Sequence, residues 1–305
     1  MTRIALVLVA VAACGESGPS PSTPQLLELE RFSPAQHTSY DVFLAARGDV
    51  VIMAKRISRD GGQTWTKHTT QLGELGRVAI AGTMVATHST QVGLARWDLT
   101  TDAITPVSGE PAYATDRSWR VDPTSGQLFA FDAIENAVAT ERTSGWTASA
   151  LPQPSQTEVR PYIKDLESNG TTLVTISAWG IHRSIDNGMT WQLVTASIPN
   201  GGRDLLVLGD RRFLLVGGTT SYLFDAAGQA AGTAPGLGVA ETEASVCDDG
   251  AIVWRGKITR DLGATWQALI STGDLELVAE RGGCGGGHYW VLARSTAWGY
   301  RLVRF

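Results

Sequence analysis

Ser184-Ile185-Asp186-Asn187-Gly188-Met189-Thr190-Trp191 decides the fold, because its pattern, Ser/Thr-x-Asp-x-Gly-x-Thr-Trp, returns twice more in the 305-residue chain. It stands at Ser58-Arg59-Asp60-Gly61-Gly62-Gln63-Thr64-Trp65 and at Thr259-Arg260-Asp261-Leu262-Gly263-Ala264-Thr265-Trp266. Ordinary residue frequencies give one such match at on the order of one in a million starting positions. Three copies are therefore an internal repeat, from which a fold is decided first. An Asp followed two residues later by Gly makes a tight turn: the carboxylate accepts backbone N–H groups, and Gly supplies the positive φ that a side chain disfavours. The leading Ser or Thr adds a hydroxyl bond, while Thr-Trp restarts a strand and sends an indole into the packing between sheets. Each copy reads as a hairpin clasp, with Ser58, Asp60, Gly62 and Trp65, Ser184, Asp186, Gly188 and Trp191, and Thr259, Asp261, Gly263 and Trp266 as its fixed letters.

This pattern resembles the Asp box, or BNR repeat, of β-propellers such as sialidases, the photosystem II assembly factor family, sortilin-type receptors and some xyloglucan hydrolases. The resemblance implies that each box joins the third and fourth strands of a blade, on the face away from the ligand site. It is specific for architecture and poor for activity.

The boxes phase the rest of the chain. Asp60 to Asp186 is 126 residues and Asp186 to Asp261 is 75, or three units of 42 and two of about 38. Degenerate turns fill the missing phases at Trp97-Asp98-Leu99-Thr100-Thr101-Asp102, Arg142-Thr143-Ser144-Gly145-Trp146 and Phe224-Asp225-Ala226-Ala227-Gly228. After the sixth turn the sequence predicts three more strands, over Leu275 to Glu280, His288 to Ala293 and Gly299 to Phe305. A three-stranded remnant would expose a long edge. The alternating segment Leu26 to Phe32 has no blade of its own and is assigned as the fourth strand of the last blade. The expectation is an all-β chain forming one propeller of seven blades over residues 25–305, closed by its two ends; six blades is the alternative.

Ahead of the propeller, Ile4 to Ala13 is an apolar run after Arg3, too short for a permanent span. It reads as a secretory signal over residues 1–13. Val11-Ala12-Ala13-Cys14 resembles a bacterial lipobox, which implies acylation of Cys14 and removal of the signal before it. Plain secretion, with cleavage at Ala13 or later, is the alternative. Residues 14–24 form a Pro/Ser/Gly tether that would hold the propeller off a membrane of the bacterial envelope. Removing residues 1–13 takes away only Arg3, leaving 24 basic and 30 acidic residues and a net charge of −6. That balance argues against nucleic acid and against a polybasic membrane patch.

Chemistry is harder to locate. With Cys14 committed to lipid, Cys247 and Cys284 are the remaining pair. They can join as a disulfide in an exported compartment or stay as two buried thiols, with Cys284 read as part of the Gly-rich turn Arg281 to Gly287. His37, His68, His88, His182 and His288 are scattered without ligand spacing, so neither a metal nor a cofactor is expected. The sialidase resemblance would require a Phe/Tyr-Arg-Ile-Pro motif ahead of the first box. Lys55-Arg56-Ile57-Ser58 runs directly into that box and lacks the Pro. Tyr289 with Glu241 or Glu243 can be named as a nucleophile pair, yet no local motif selects them.

One regularity remains. Arg77, Arg117, Arg160 and Arg203 are spaced by 40, 43 and 43 residues, at the entry to the innermost strand of four consecutive units. In a propeller that phase lies beside the central channel, opposite the boxes, and four guanidinium forks there would suit a carboxylate, sulfate or phosphate. Arginine outnumbers lysine 21 to 4, so some alignment by chance is expected. Tyr113, Trp119, Tyr162 and Trp179 lie near the same loops, either as stacking surfaces or as core aromatics. The sequence thus reads as a lipid-anchored, monomeric, non-catalytic propeller that binds an anionic glycan or an acidic protein partner. A glycoside hydrolase of sialidase-like type is the alternative.

Overall fold

A computed structural model of the chain describes residues 25–27, 44–53, 56–68, 75–89, 91–114, 118–132, 136–153, 163–196, 198, 204–217, 219–235, 244–254, 256–269, 277–285, 287–295 and 299–305. These form seven antiparallel sheets of four strands each, with no helix among them. Blade 1 is β2 (Leu44–Arg47), β3 (Val50–Met53), β4 (Arg56–Ser58) and β5 (Thr66–Lys67). Blade 2 is β6 (Leu75–Ala81), β7 (Met84–Ser89), β8 (Gly93–Asp98) and β9 (Ile104–Pro106). Blade 3 holds β10 (Trp119–Val121), β11 (Leu128–Phe131), β12 (Ala137–Arg142) and β13 (Gly145–Ala150). Blade 4 holds β14 (Ile163–Asn169), β15 (Thr172–Ser177), β16 (Gly180–Ser184) and β17 (Gln192–Thr195). Blade 5 runs through β18 (Asp204–Val207), β19 (Phe213–Val216), β20 (Thr220–Phe224) and β21 (Ala230–Pro235). Blade 6 runs through β22 (Ser245–Val246), β23 (Ile252–Trp254), β24 (Lys257–Thr259) and β25 (Gln267–Ala268). Blade 7 is β26 (Leu277–Gly285), β27 (His288–Ser295) and β28 (Gly299–Arg304), completed by β1 (Gln25–Leu27) from the start of the chain.

Successive side chains of a strand point to opposite faces of its sheet, and here both faces are buried against neighbouring blades. The inner strands consequently read as continuous apolar runs such as Val50-Val51-Ile52-Met53 and Phe213-Leu214-Leu215-Val216. Val51 packs against Trp290 and Leu292 of blade 7, while Ile52 packs toward Ile80, Val85 and Trp97 of blade 2. Leu205 and Leu206 divide in the same way between the seams to blades 4 and 6. Every one of the seven seams holds such a cluster, so the core is a ring of interfaces.

The innermost strands β26, β2, β6, β10, β14, β18 and β22 neighbour one another in that order, and β22 meets β26 again. The ring closes in sequence as well as in space. β1 pairs with β28 through Gln25↔Arg304, Leu26↔Val303 and Leu27↔Leu302. The N-terminal strand is therefore the fourth strand of the last blade, and the blade number is seven.

The Gly-rich stretch of blade 7 departs from the sequence reading. Cys284 lies in β26, which continues to Gly285, and not in a turn. The reason is close approach of β2: a Cβ on Gly285 would stand 2.8 Å from Arg47 N and from Gly48 O, and one on Gly283 would stand 3.4 Å from Ala46 Cβ. Glycine is used there for backbone contact between blades.

Candidate functional site

Three turn types place the surfaces. Each box lies between the third and fourth strands of its blade, at β4–β5, β16–β17 and β24–β25. Each box is a closed hydrogen-bond unit. In the first, Ser58 Oγ donates to Asp60 Oδ1 at 2.7 Å and accepts from Gly62 N at 2.7 Å. Thr64 N donates to Asp60 Oδ1 at 2.9 Å and Thr64 Oγ1 to Asp60 Oδ2 at 2.5 Å. Ser184, Asp186, Gly188 and Thr190 repeat this geometry, as do Thr259, Asp261, Gly263 and Thr265. The Thr of the pattern thus has a structural duty that strand propensity did not reveal.

The box turn sits beside the turn between strands one and two: Gly61 N donates to Asp49 O at 2.9 Å and Asn187 N to Thr171 O at 3.2 Å. Both turns therefore mark one face of the disk. The connections that enter the innermost strands belong to the other face.

The arginine series belongs, by sequence, to those entries. Arg77 lies within β6, at a register shift between Leu75 and Val78. Arg117, Arg160 and Arg203 lie outside the described residues, as do Cys14, Tyr162, Glu241 and Glu243. The strands that follow those three arginines, β10, β14 and β18, begin at Trp119, Ile163 and Asp204. Of the aromatic candidates, Trp119 is wholly buried between blades 2 and 3 and Trp179 is 7% exposed, so these two are core residues and not stacking surfaces.

Sequence reasoning missed the buried charge network on the innermost strands. Arg120 of β10 donates to Asp165 at 2.6 Å and to Glu167 at 3.2 Å, both on β14, and lies 5.2 Å from the Phe131 ring. Asp165 also accepts from Leu166 N and, across the next seam, from Leu205 N of β18 at 3.1 Å. Burial disfavours the Arg120 cation, but Asp165 and Glu167 more than compensate and raise its pKa. Arg120 and Asp165 are largely buried and Glu167 is one-third exposed, and their bonds link blades 3, 4 and 5 to one another.

Tyr289 is equally committed. Its hydroxyl donates to Asp249 Oδ2 at 2.6 Å and accepts from Arg260 at 2.5 Å. Burial and then the Asp249 bond push its pKa up to about 12, against the pull of Arg260. A phenol so held is a poor nucleophile at neutral pH. Cys247, just past β22, and Cys284 are joined in a disulfide with Cα atoms 5.4 Å apart, tying blade 6 to blade 7. Among the described residues no group of three His, Cys, Asp or Glu is placed to hold a metal ion. No helix among them is long and apolar enough to cross a membrane.

Comparison with known proteins agrees with the architecture. Residues 56–67 match the family model described as BNR/Asp-box repeat. No curated protein matches the chain. Among solved structures, "YCF48 bound to D1 peptide" is similar with a TM-score of 0.61 at 14% identity, over 93% of this chain and 98% of that one. The WD40 β-propeller domain of Doa1 is similar at a TM-score of 0.55 and 15% identity, over 88% of this chain and 94% of that one. The extracellular domain of the putative hybrid two-component system BT3049 from B. thetaiotaomicron gives 0.56 at 11% identity, over 90% of this chain and 41% of that longer one. At such identities the likeness is one of fold: the chain is a seven-bladed propeller that carries Asp boxes.

Proposed function

We propose that this propeller is a non-catalytic binding or assembly scaffold, tethered by lipid on Cys14 to a bacterial envelope membrane, and that it holds an anionic partner on the face opposite its boxes. The observation that carries the reading is topological. The boxes occupy one face, and the other face takes the entries to the innermost strands, where four consecutive blades carry Arg77, Arg117, Arg160 and Arg203 by sequence. Four planar cations brought to one channel mouth would repel one another until an anion offset them. The partner is therefore an acidic sugar or an acidic loop of an envelope protein. A propeller of the same fold described as bound to a peptide supports the protein-partner side of that choice.

Three experiments test this reading. Replacing Arg117 and Arg160 together by Gln should weaken partner binding in a salt-dependent way, while Arg59→Gln with Arg260→Gln, on the box face, should not. Equal loss in both pairs would remove the rim from the account. Turnover of fluorogenic glycosides, sialosides included, that vanishes when a rim carboxylate is neutralised would establish the hydrolase alternative instead. For the anchor, wild-type protein should partition with membranes and carry acyl mass, and Cys14→Ser should lose it or remain as precursor.

A further inference from the structure

The third strand enters its box in one way in blades 1 and 6 and in the reverse way in blade 4. The residues are Ile57-Ser58-Arg59 and Ile258-Thr259-Arg260 in the first two, but Arg183-Ser184-Ile185 in blade 4. The positions are equivalent in register, since Ile57, Arg183 and Ile258 pair with Thr66, Gln192 and Gln267. Ile57 and Ile258 are each 1% exposed, in the seam with the following blade. Arg59 and Arg260 reach over that seam from outside, to Asp102 and Trp97 and to Tyr289. Blade 4 exchanges these roles: Arg183 is 8% exposed, while Ile185 is 58% and Met189 63% exposed. Those two are the exposed large hydrophobic residues among the described ones, and they share one box.

Arg183 alternates with Ile181, so it faces the seam with blade 5. Its Cδ lies 3.9 Å from where a Cβ on Gly228 would stand. Among the described residues it makes no hydrogen bond or ion pair, and its Nε is buried without an acceptor. Asp225 is the acid within electrostatic range, but its Oδ1 is spent on its own turn, accepting from Ala227 N and Gln229 N, each at 2.8 Å. Burial, and then the exposed Arg211 of blade 5, disfavour the Arg183 cation, against the weaker pull of Asp225. Arginine keeps its charge regardless, so this guanidinium has donors and no acceptor.

We propose that the blade 4–blade 5 seam on the box face is a docking site for a segment of another protein that supplies a carboxylate to Arg183 and Arg211 and lays an aliphatic side chain on Ile185 and Met189. Buried arginine and exposed aliphatic groups in the same box cost stability, and local rules broken together in this way mark functional surfaces. A carboxylate completes the planar fork, and the apolar contact removes Ile185 and Met189 from water. An anionic membrane does not fit as well, because the site has two cations and the chain a net charge of −5. The inference concerns the face opposite the arginine series and does not depend on it.

The test uses the full chain and the double exchange Arg183→Ile with Ile185→Arg, which restores the order of blades 1 and 6. The exchanged protein should fold and melt about 2 to 4 °C higher. Selection of a random twelve-residue peptide library on wild type, with the exchanged protein as competitor, should enrich Asp or Glu beside Leu, Ile or Val. Each selected peptide should bind the exchanged protein at least tenfold more weakly, and its Asn/Gln counterpart should bind wild type equally weakly. Sodium sulfate should raise the wild-type melting temperature above that in sodium chloride of equal ionic strength, and the exchange or Arg211→Gln should remove the difference. No acidic enrichment, or peptides that bind both proteins alike, overturns the proposal. So does binding to phosphatidylglycerol vesicles, or self-association in sedimentation, that the exchange abolishes in place of peptide binding.

Discussion

The box aspartates work because their carboxylates are full acceptors. At Asp60 the Thr64 hydroxyl and amide and then Ser58 hold the carboxyl down to about 2. At Asp186 and Asp261 burial acts upward, but the Thr190 or Thr265 hydroxyl and amide outweigh it and lower the pKa. A carboxyl with a depressed folded pKa contributes stability that is present above its unfolded pKa, near 4, and lost as pH falls toward the folded value. Acid unfolding should therefore steepen between about pH 4 and pH 2, and Asp186→Ala, which cannot titrate, should flatten that limb. The same substitution should cost about 1 to 3 kcal/mol at pH 7 by leaving Thr190 N and Ser184 Oγ without their acceptor, read by urea denaturation. The glycines divide by surroundings. A Cβ on Gly62, at φ +81, would stand 2.1 Å from Trp290 Cη2, whereas one on Gly48, at φ +50, meets nothing within 4 Å. Gly62→Ala should destabilise by roughly 3 kcal/mol and Gly48→Ala by roughly 1 kcal/mol. A positive φ at the box glycine is legible in the sequence. That a tryptophan from the opposite end of the chain covers it is not, because no local pattern encodes which indole fills which seam.

At the level of strand and turn, periodicity and turn chemistry located all the third-to-fourth hairpins, including the degenerate ones around Asp98, Gly145 and Asp225, which lie between β8 and β9, β12 and β13, and β20 and β21. Asp98 accepts from Thr100 N at 2.7 Å and Asp225 from Ala227 N at 2.8 Å, so the Asp-turn chemistry persists where the full pattern has decayed. The box tryptophans are half-buried: Trp65 meets Trp290 edge-on at 6.2 Å, Trp266 meets Trp254 at 5.8 Å, and Trp191 donates to Ser149 Oγ of blade 3 at 2.9 Å. Among the described residues the wholly buried indoles are Trp97, which opens a degenerate turn, and Trp119 and Trp290, which no repeat pattern marks. Trp290→Ala should accordingly cost about 3 to 5 kcal/mol, and Trp191→Ala about 2 kcal/mol, since less surface leaves water at that position; chemical denaturation should rank them so. Arginine abundance also acquires a use at this scale. Arg96 pairs with Glu141 across the seam of blades 2 and 3, and Arg142 and Arg304 each donate to the fourth-residue carbonyl of a neighbouring box, Asn187 O at 3.0 Å and Gly61 O at 3.2 Å. Such seam partners lie about 45 to 243 residues apart in the chain, which is why residue spacing alone did not single out these arginines.

For the whole molecule, seven-fold closure was legible because an unpaired last blade and an unassigned first strand demanded each other. The disulfide was legible only as a possibility, since spacing cannot tell two adjacent innermost strands from two distant ones. These devices act on the same blade from opposite sides: β1 pairs with the outer strand β28, and Cys284 ties the inner strand β26 to Cys247 of blade 6. A ring loses its strain-free closure wherever one blade opens, so blade 7 should be the first part to detach. Replacing both cysteines by Ala frees a loop with a sequence separation of 37, worth about 3 to 4 kcal/mol in chain entropy. Deleting residues 25–27 removes the pairing at Leu26 and Leu27 and leaves β28 as an open edge. If each device limits the same local opening, the second loss should cost little once the first has released blade 7, so the combined variant should be destabilised by less than the sum of the two. Hydrogen exchange should then show amides of β27 and β28 exchanging before those of β14 and β15 in each single variant. Additive losses, with uniform exchange around the ring, would mean that blade 7 opens only with the whole propeller.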